Sequence, residues 1–121
     1  MTGFAPAPVK PQIAITDLDK IDIRVGTIER VEMVPRSDKL VKLTVDFGDQ
    51  RRSVLAGLRQ ERADPKAELE GRRGLFVVNL APHKMAGEIS QAMLFDIGYA
   101  DGIAPVLAIP ERPVPNGTRA G

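Results

Sequence analysis

The 121-residue sequence has no cysteine and only one histidine, His83. The first absence removes disulfides and thiolate metal sites, and the second removes a multi-histidine cage within one chain. Tryptophan is missing, and aromatic residues make up 4% of the chain: Phe4, Phe47, Phe76, Phe95 and Tyr99. No charge of one sign dominates, since Lys+Arg is 17 and Asp+Glu is 16, a formal net charge of +1. Few rings and a balanced charge argue against a protein that coats long single strands, which needs several stacking platforms in a basic groove. No apolar run approaches the ~20 residues of a spanning helix, and the Pro-bearing start does not read as a signal peptide. The expectation is a soluble cytoplasmic protein with no membrane partner. What remains is an ordinary globular composition, 43% hydrophobic, long enough to bury a core in one domain.

Apolar residues alternate in several short segments. Residues 1–12, rich in Ala and Pro, are expected to be a disordered tail, and the domain is expected to fill 13–121. Thr16 offers an N-cap for a turn of helix over 17–20, with Asp19 three residues on. Ile21, Ile23 and Val25 then alternate with polar neighbours, and the pattern slips by one over 27–32, which predicts a bulge or bend at Gly26. Val41, Leu43, Val45 and Phe47 form the cleanest strand, Gly48-Asp49 a hairpin turn, and residues 51–58 the returning strand. Asp64-Pro65 opens a short helix that stops at Gly71. Residues 75–80 and 93–97 read as further strands, 82–88 as a loop, and 103–109 as a last extended segment. The sum is all-β with one or two short helices. This order predicts a five-stranded OB-fold Greek-key barrel with N- and C-terminal extensions, with a β-sandwich as the rival.

Signatures of catalysis are missing: no nucleophile elbow, HExxH, phosphate loop or GxGxxG occurs. His83 with some carboxylate is the sole base available, and nothing supplies a nucleophile at a meaningful spacing. The chain is therefore expected not to be an enzyme, and no cofactor or metal is expected. Two cationic clusters stand out: Arg36, Lys39 and Lys42 opposed by Asp38 alone, and Arg51-Arg52. On one barrel face they would draw phosphates despite the neutral total; the plainer alternative is a charged strand edge that resists aggregation. Residues 84–93 are small and polar. Lys84 can meet a phosphate, Ser90 a sugar or base edge, and Met93 offers a polarizable surface. The plainer alternative there is a β-hairpin connection with Met85 and Met93 in the core.

These residues also carry a resemblance. Asp19-Lys20-Ile21-Asp22-Ile23-Arg24-Val25-Gly26 resembles the opening of the free-standing tRNA-binding domain family, a domain also appended to methionyl-tRNA synthetases. Ser37-Asp38-Lys39-Leu40 is similar to its ADKL turn, with Ser for Ala, and residues 52–58 to its R-x-x-x-x-G-L strand. Residues 79–94 are similar to NL-x-P-x-K-x-x-G-x-x-S-x-x-M-x-L, with Leu94 directly after Met93 where the pattern sets its last Leu one residue on, and the signature is long enough to be specific. The resemblance implies an OB fold whose terminal extensions build a homodimer. It implies recognition of folded tRNA by shape and backbone, without catalysis, in support of a methionyl-tRNA synthetase in trans. Carried over by position, the contacts it implies are Lys39, Arg52, Asn79, Lys84, Ser90 and Met93, beside Arg36 and Lys42 from the charge pattern. Residues 23–28 and 110–117 look closer to the CsaA-type export chaperones, a sister branch that would bind unfolded preproteins or peptides on the same dimer.

Overall fold

A computed structural model describes residues 3–60 and 62–121. Residues 3–14 are exposed and carry no helix or strand; Met1 and Thr2, also part of the expected tail, lie outside the described residues. Helix α1 (Ile15–Leu18) begins two residues before the expected start, with Ala14 rather than Thr16 at its N-cap. The acid that reaches back is Asp17, whose Oδ2 accepts the Ala14 N–H at 3.3 Å while Oδ1 takes the Lys20 ammonium at 3.1 Å.

Strand β1 (Ile23–Met33) runs through the whole barrel. Its second half pairs with β2 (Val41–Asp46), and its first half pairs with β4 (Arg73–Val77). The slip in alternation is a bulge at Glu29, where the register jumps between Ile28 and Arg30. Ile28 and Val31 are both buried, and three residues apart they share a face only if one residue is skipped. The bulge expected at Gly26 is thus three residues further on. Gly26 instead permits a close approach. It faces Gly74 across the ladder, and a Cβ there would sit 2.5 Å from Val45 Cγ1 and 2.9 Å from Phe47 Cε1. Missing side chains let the barrel close tightly around the Phe47 ring, which meets Phe76 edge-on at 5.5 Å.

The β2 alternation is as read, with Val41, Leu43 and Val45 fully buried. Phe47 N–H bonds Gln50 O at 2.9 Å around Gly48-Asp49, and β3 (Arg51–Ala56) returns in register. Helix α2 (Pro65–Leu69) is capped by Asp64, which accepts from Ala67 N at 3.1 Å while Glu68 accepts from Asp64 N at 2.9 Å. The exit of α2 satisfies the bulge. Gly71 N–H bonds Ile28 O at 2.7 Å, Ile28 N–H bonds Arg72 O at 2.8 Å, and the Glu70 carboxylate takes Val31 N–H at 2.9 Å.

After β4, the expected loop over 82–88 is a hairpin of β5 (His83–Met85) and β6 (Glu88–Ser90). Ala86 and Gly87 have φ of 48° and 82°, the positive pair that suits a two-residue turn between twisted strands. The expected strand 93–97 divides at Phe95: β7 (Met93–Leu94) stays on β4, while β8 (Asp96–Ile97) leaves to pair with β9 (Val106–Leu107). A strand not anticipated, β10 (Arg119–Ala120), pairs with β1 after the Asn116-Gly117 turn, and Thr118 O accepts Val25 N–H at 2.9 Å. The order β3-β2-β1-β4-β7 describes a nearly closed five-stranded antiparallel barrel of the OB type. Gly26→Ala, which must displace stiff Val45 and the Phe47 ring, should cost about 1–3 kcal/mol in urea unfolding; an unchanged midpoint would show that the β1 approach is not limiting.

Candidate nucleic-acid interface

The gap between β3 and β7 is bridged largely by side chains. Leu55 N–H donates to Ser90 Oγ at 3.0 Å, and that hydroxyl donates to Ala92 O at 2.8 Å. Ser53 N–H donates to Gln91 Oε1 at 2.8 Å, and Gln91 N–H to Ser53 O at 2.8 Å. Ser90 is 5% exposed with both of its bonds internal, so it holds the β5–β6 hairpin against β3. Sequence reasoning set it down as a surface contact; Gln91, its neighbour in the same signature, was missed.

Arg52 stands on the inward face of β3 but at its open end. Its Nη1 donates to Val78 O at 2.6 Å and to Gln91 O at 3.2 Å, and its Nε to Gln50 Oε1 at 3.1 Å. Among the described residues no carboxylate lies within 4.0 Å of it. Asn79 uses both ends of its amide on the chain entering β1, accepting from Asp22 N at 2.9 Å and donating to Lys20 O at 2.7 Å. Beside it Arg24 grips Asp22 through two bonds, at 2.9 and 3.0 Å. The hydrogen bonds from Arg24, reinforced by its charge and those of Arg119 and Arg52, hold the Asp22 carboxyl below its ordinary range. Asp22, Arg24, Arg52 and Asn79 line a polar groove of about 300 Å³. The alternating Asp22-x-Arg24 spacing was a legible sign of that pair; Arg119, from β10, had none.

The remaining cations gather around the hairpin. Lys42, on the outward face of β2, is paired with Glu88 at 3.1 Å. Arg36 lies over the hairpin turn, its guanidinium 3.3 Å from where a Gly87 side chain would begin. Lys84 is exposed on β5. Lys39 is exposed in a turn organised by Ser37, whose hydroxyl accepts the N–H groups of Lys39 and Leu40 at 3.1 and 3.0 Å. Among the described residues Arg36, Lys39 and Lys84 have no carboxylate within 4.0 Å, whereas Arg51 is held by Glu29. The single patch expected from the sequence therefore has two parts: Arg36, Lys42 and Lys84 about the hairpin, and Arg52 with Asn79 at the barrel end.

Met93 is 48% exposed and Met85 half-buried, so these methionines line a surface depression instead of filling the core. That cup, about 280 Å³, has Leu55 and Ala92 for its floor and Leu80, His83, Met85 and Met93 around it. No three His, Cys, Asp or Glu side chains converge on a metal-sized site among the described residues.

A five-stranded barrel of this type with exposed cations about one hairpin belongs to the OB-fold class. The sequence pattern of the family described as "Putative tRNA binding domain" matches residues 23–119, and the chain belongs to that family. Similar solved structures include a MetRS-related protein from Pyrococcus horikoshii, 34% identical with a TM-score of 0.83, covering 93% of this chain and 100% of that one. The chaperone CsaA from Bacillus anthracis str. Ames is 27% identical with a TM-score of 0.79, covering 92% and 100%. The C-terminal domain of Plasmodium vivax p43 is 27% identical with a TM-score of 0.73, covering 85% and 61%.

Ser90→Ala strands the Leu55 N–H and the Ala92 carbonyl in a buried place. It should cost about 1–3 kcal/mol of stability by urea unfolding. Stability equal to the parent would mean that the closure does not rest on this hydroxyl.

Proposed function

We propose that the protein binds folded tRNA as a non-catalytic homodimer, by shape and phosphate contacts, in support of a methionyl-tRNA synthetase in trans. The observation that carries the reading is the set of uncompensated cations about the hairpin, in the Ser37 turn and at the barrel end. Arg36, Lys39, Arg52 and Lys84 have no carboxylate partner among the described residues, although the chain as a whole is nearly neutral. Such side chains suit phosphates of a structured RNA, which is read by outline and backbone more than by sequence. In this reading Lys39, Lys84, Arg36 and Arg52 are the anion contacts and Lys42 is tempered by Glu88. Ser90 and Asn79 act by holding the hairpin and the β1 entry in place. Family membership and the MetRS-related neighbour support this assignment.

A second reading is a peptide-binding chaperone, favoured by the exposed Met93 cup and the CsaA neighbours. Either reading uses a dimer. Ile13, Ile15, Leu18 and Ile21 near one terminus, and Ile97, Ile103, Val106 and Ile109 near the other, are large apolar residues left exposed on one chain. A twofold interface would cover them.

Filter binding of total tRNA across a salt series tests the function. Affinity should fall steeply with salt, and Lys84→Ala should weaken binding to all tRNAs and reduce the log–log slope by about one. Arg52→Ala should do the same with some loss of stability, since it also releases two carbonyls. Binding that ignores salt and both substitutions would defeat the proposal. Protection of an unfolded client from aggregation, without tRNA binding, would favour the chaperone reading. Light scattering at micromolar concentration should give twice the 13.1 kDa chain mass; a monomer mass would remove the dimer.

A further inference from the structure

The apolar cup and the polar groove are neighbours. The cup is bounded by Leu80 and Ala81, and the groove by Val78 and Asn79, the two residues just before them. Across from that wall, β3 supplies Leu55 to the cup and Arg52 to the groove. Arg52 lines the groove and is fixed between Val78 O and Gln91 O, and the residues either side of Gln91, Ser90 and Ala92, line the cup. A displacement of two residues along the shared wall covers about 7 Å, and the three residues from Leu55 to Arg52 on β3 cover about 10 Å. A ligand that fills both must carry a flat or apolar group within that reach of an anion.

We infer that the cup and groove together take one unstacked nucleotide of the bound RNA, its base in the Met85–Met93 cup and its phosphate against Arg52. The proposal rests on the RNA-binding reading above. Two thioethers and the His83 imidazole are polarizable surfaces suited to the face of a nucleobase. The groove carries two acids, Asp22 and Asp49, against two cations, Arg24 and Arg52. Asp22 is spent on Arg24, and among the described residues the cation left without an ion pair is Arg52. The cup should accept any base. Its polar side chains are His83 and Ser90, and the Ser90 hydroxyl is already spent on Leu55 N and Ala92 O. Every base has a π-face, so stacking without edge reading gives sequence tolerance.

Two synthetic RNAs of equal nucleotide number test this: a stem-loop with 2-aminopurine in the loop, and a blunt duplex with 2-aminopurine paired in the stem. The full-length protein should bind the stem-loop about tenfold more tightly, the weight of one stacked base, and change the fluorescence of the loop probe alone. Met93→Ala, at a half-exposed position, should abolish the preference, and Leu80→Ala should abolish it while leaving duplex affinity and its salt dependence intact. Equal affinity for the two RNAs, an unchanged loop signal in the bound state, or equal weakening of both RNAs by Leu80→Ala would overturn the proposal without touching the phosphate-binding reading. Binding of neither RNA would overturn both. An unfolded peptide that binds the parent but not Met93→Ala, with no stem-loop preference, would assign the cup to peptide and overturn the nucleotide.

Discussion

The edge of β3 must be closed, and nearly everything of functional interest follows from how that is done. A full ladder would have continued the sheet and buried the region. Here Ser90 and Gln91 reach across instead, one with a hydroxyl and the other with an amide. Because the bridge is short, the β5–β6 hairpin lies against the outside of β3, with Leu55 buried beneath it. The same bridge leaves the Gln91 carbonyl free to hold Arg52 in the open end of the barrel. Met93, one step beyond the bridge, emerges half-exposed. Cup, hairpin and guanidinium are thus consequences of one polar closure.

Charge shows how an average conceals a surface. Eight of the seventeen Lys and Arg side chains form ion pairs among the described residues. Several of these pairs lie away from the hairpin, as with Lys20–Asp17 and Arg62–Glu68. Exposed pairs of this kind add little stability, but they cancel charge locally. What is left uncancelled at the hairpin and the barrel end exceeds what a total of +1 suggests. Few aromatics are needed if phosphates supply most of the affinity.

Local chemistry made much of the fold legible. The strict alternation over 41–47, the turn at Gly48-Asp49 and the Asp64-Pro65 cap each encode their own geometry within a few residues. The start of α1 was displaced by a local acid, since the Asp17 carboxylate reaches back to the Ala14 N–H, whereas the position of the β1 bulge depends on distant groups, Glu70 and Gly71. Strand β10 had no periodic signal at two residues and exists only because β1 offers it an edge. Among the candidate site residues, the exposed cations Arg36, Lys39 and Lys84 were legible as charges without opponents. Ser90 and Asn79 were legible as unusual residues, but their internal bonding was not, since their partners at Leu55, Lys20 and Asp22 come from other parts of the chain.

The central claim is one of place: RNA meets the hairpin and the barrel end that Ser90, Gln91 and Arg52 bring together. Amide hydrogen exchange, with and without saturating total tRNA, tests it most directly. The account predicts slowed exchange over 51–55 and 78–93, with helix α2 unaffected. Protection confined to α2 and the segment leading to Arg73, with residues 78–93 unchanged, would contradict it.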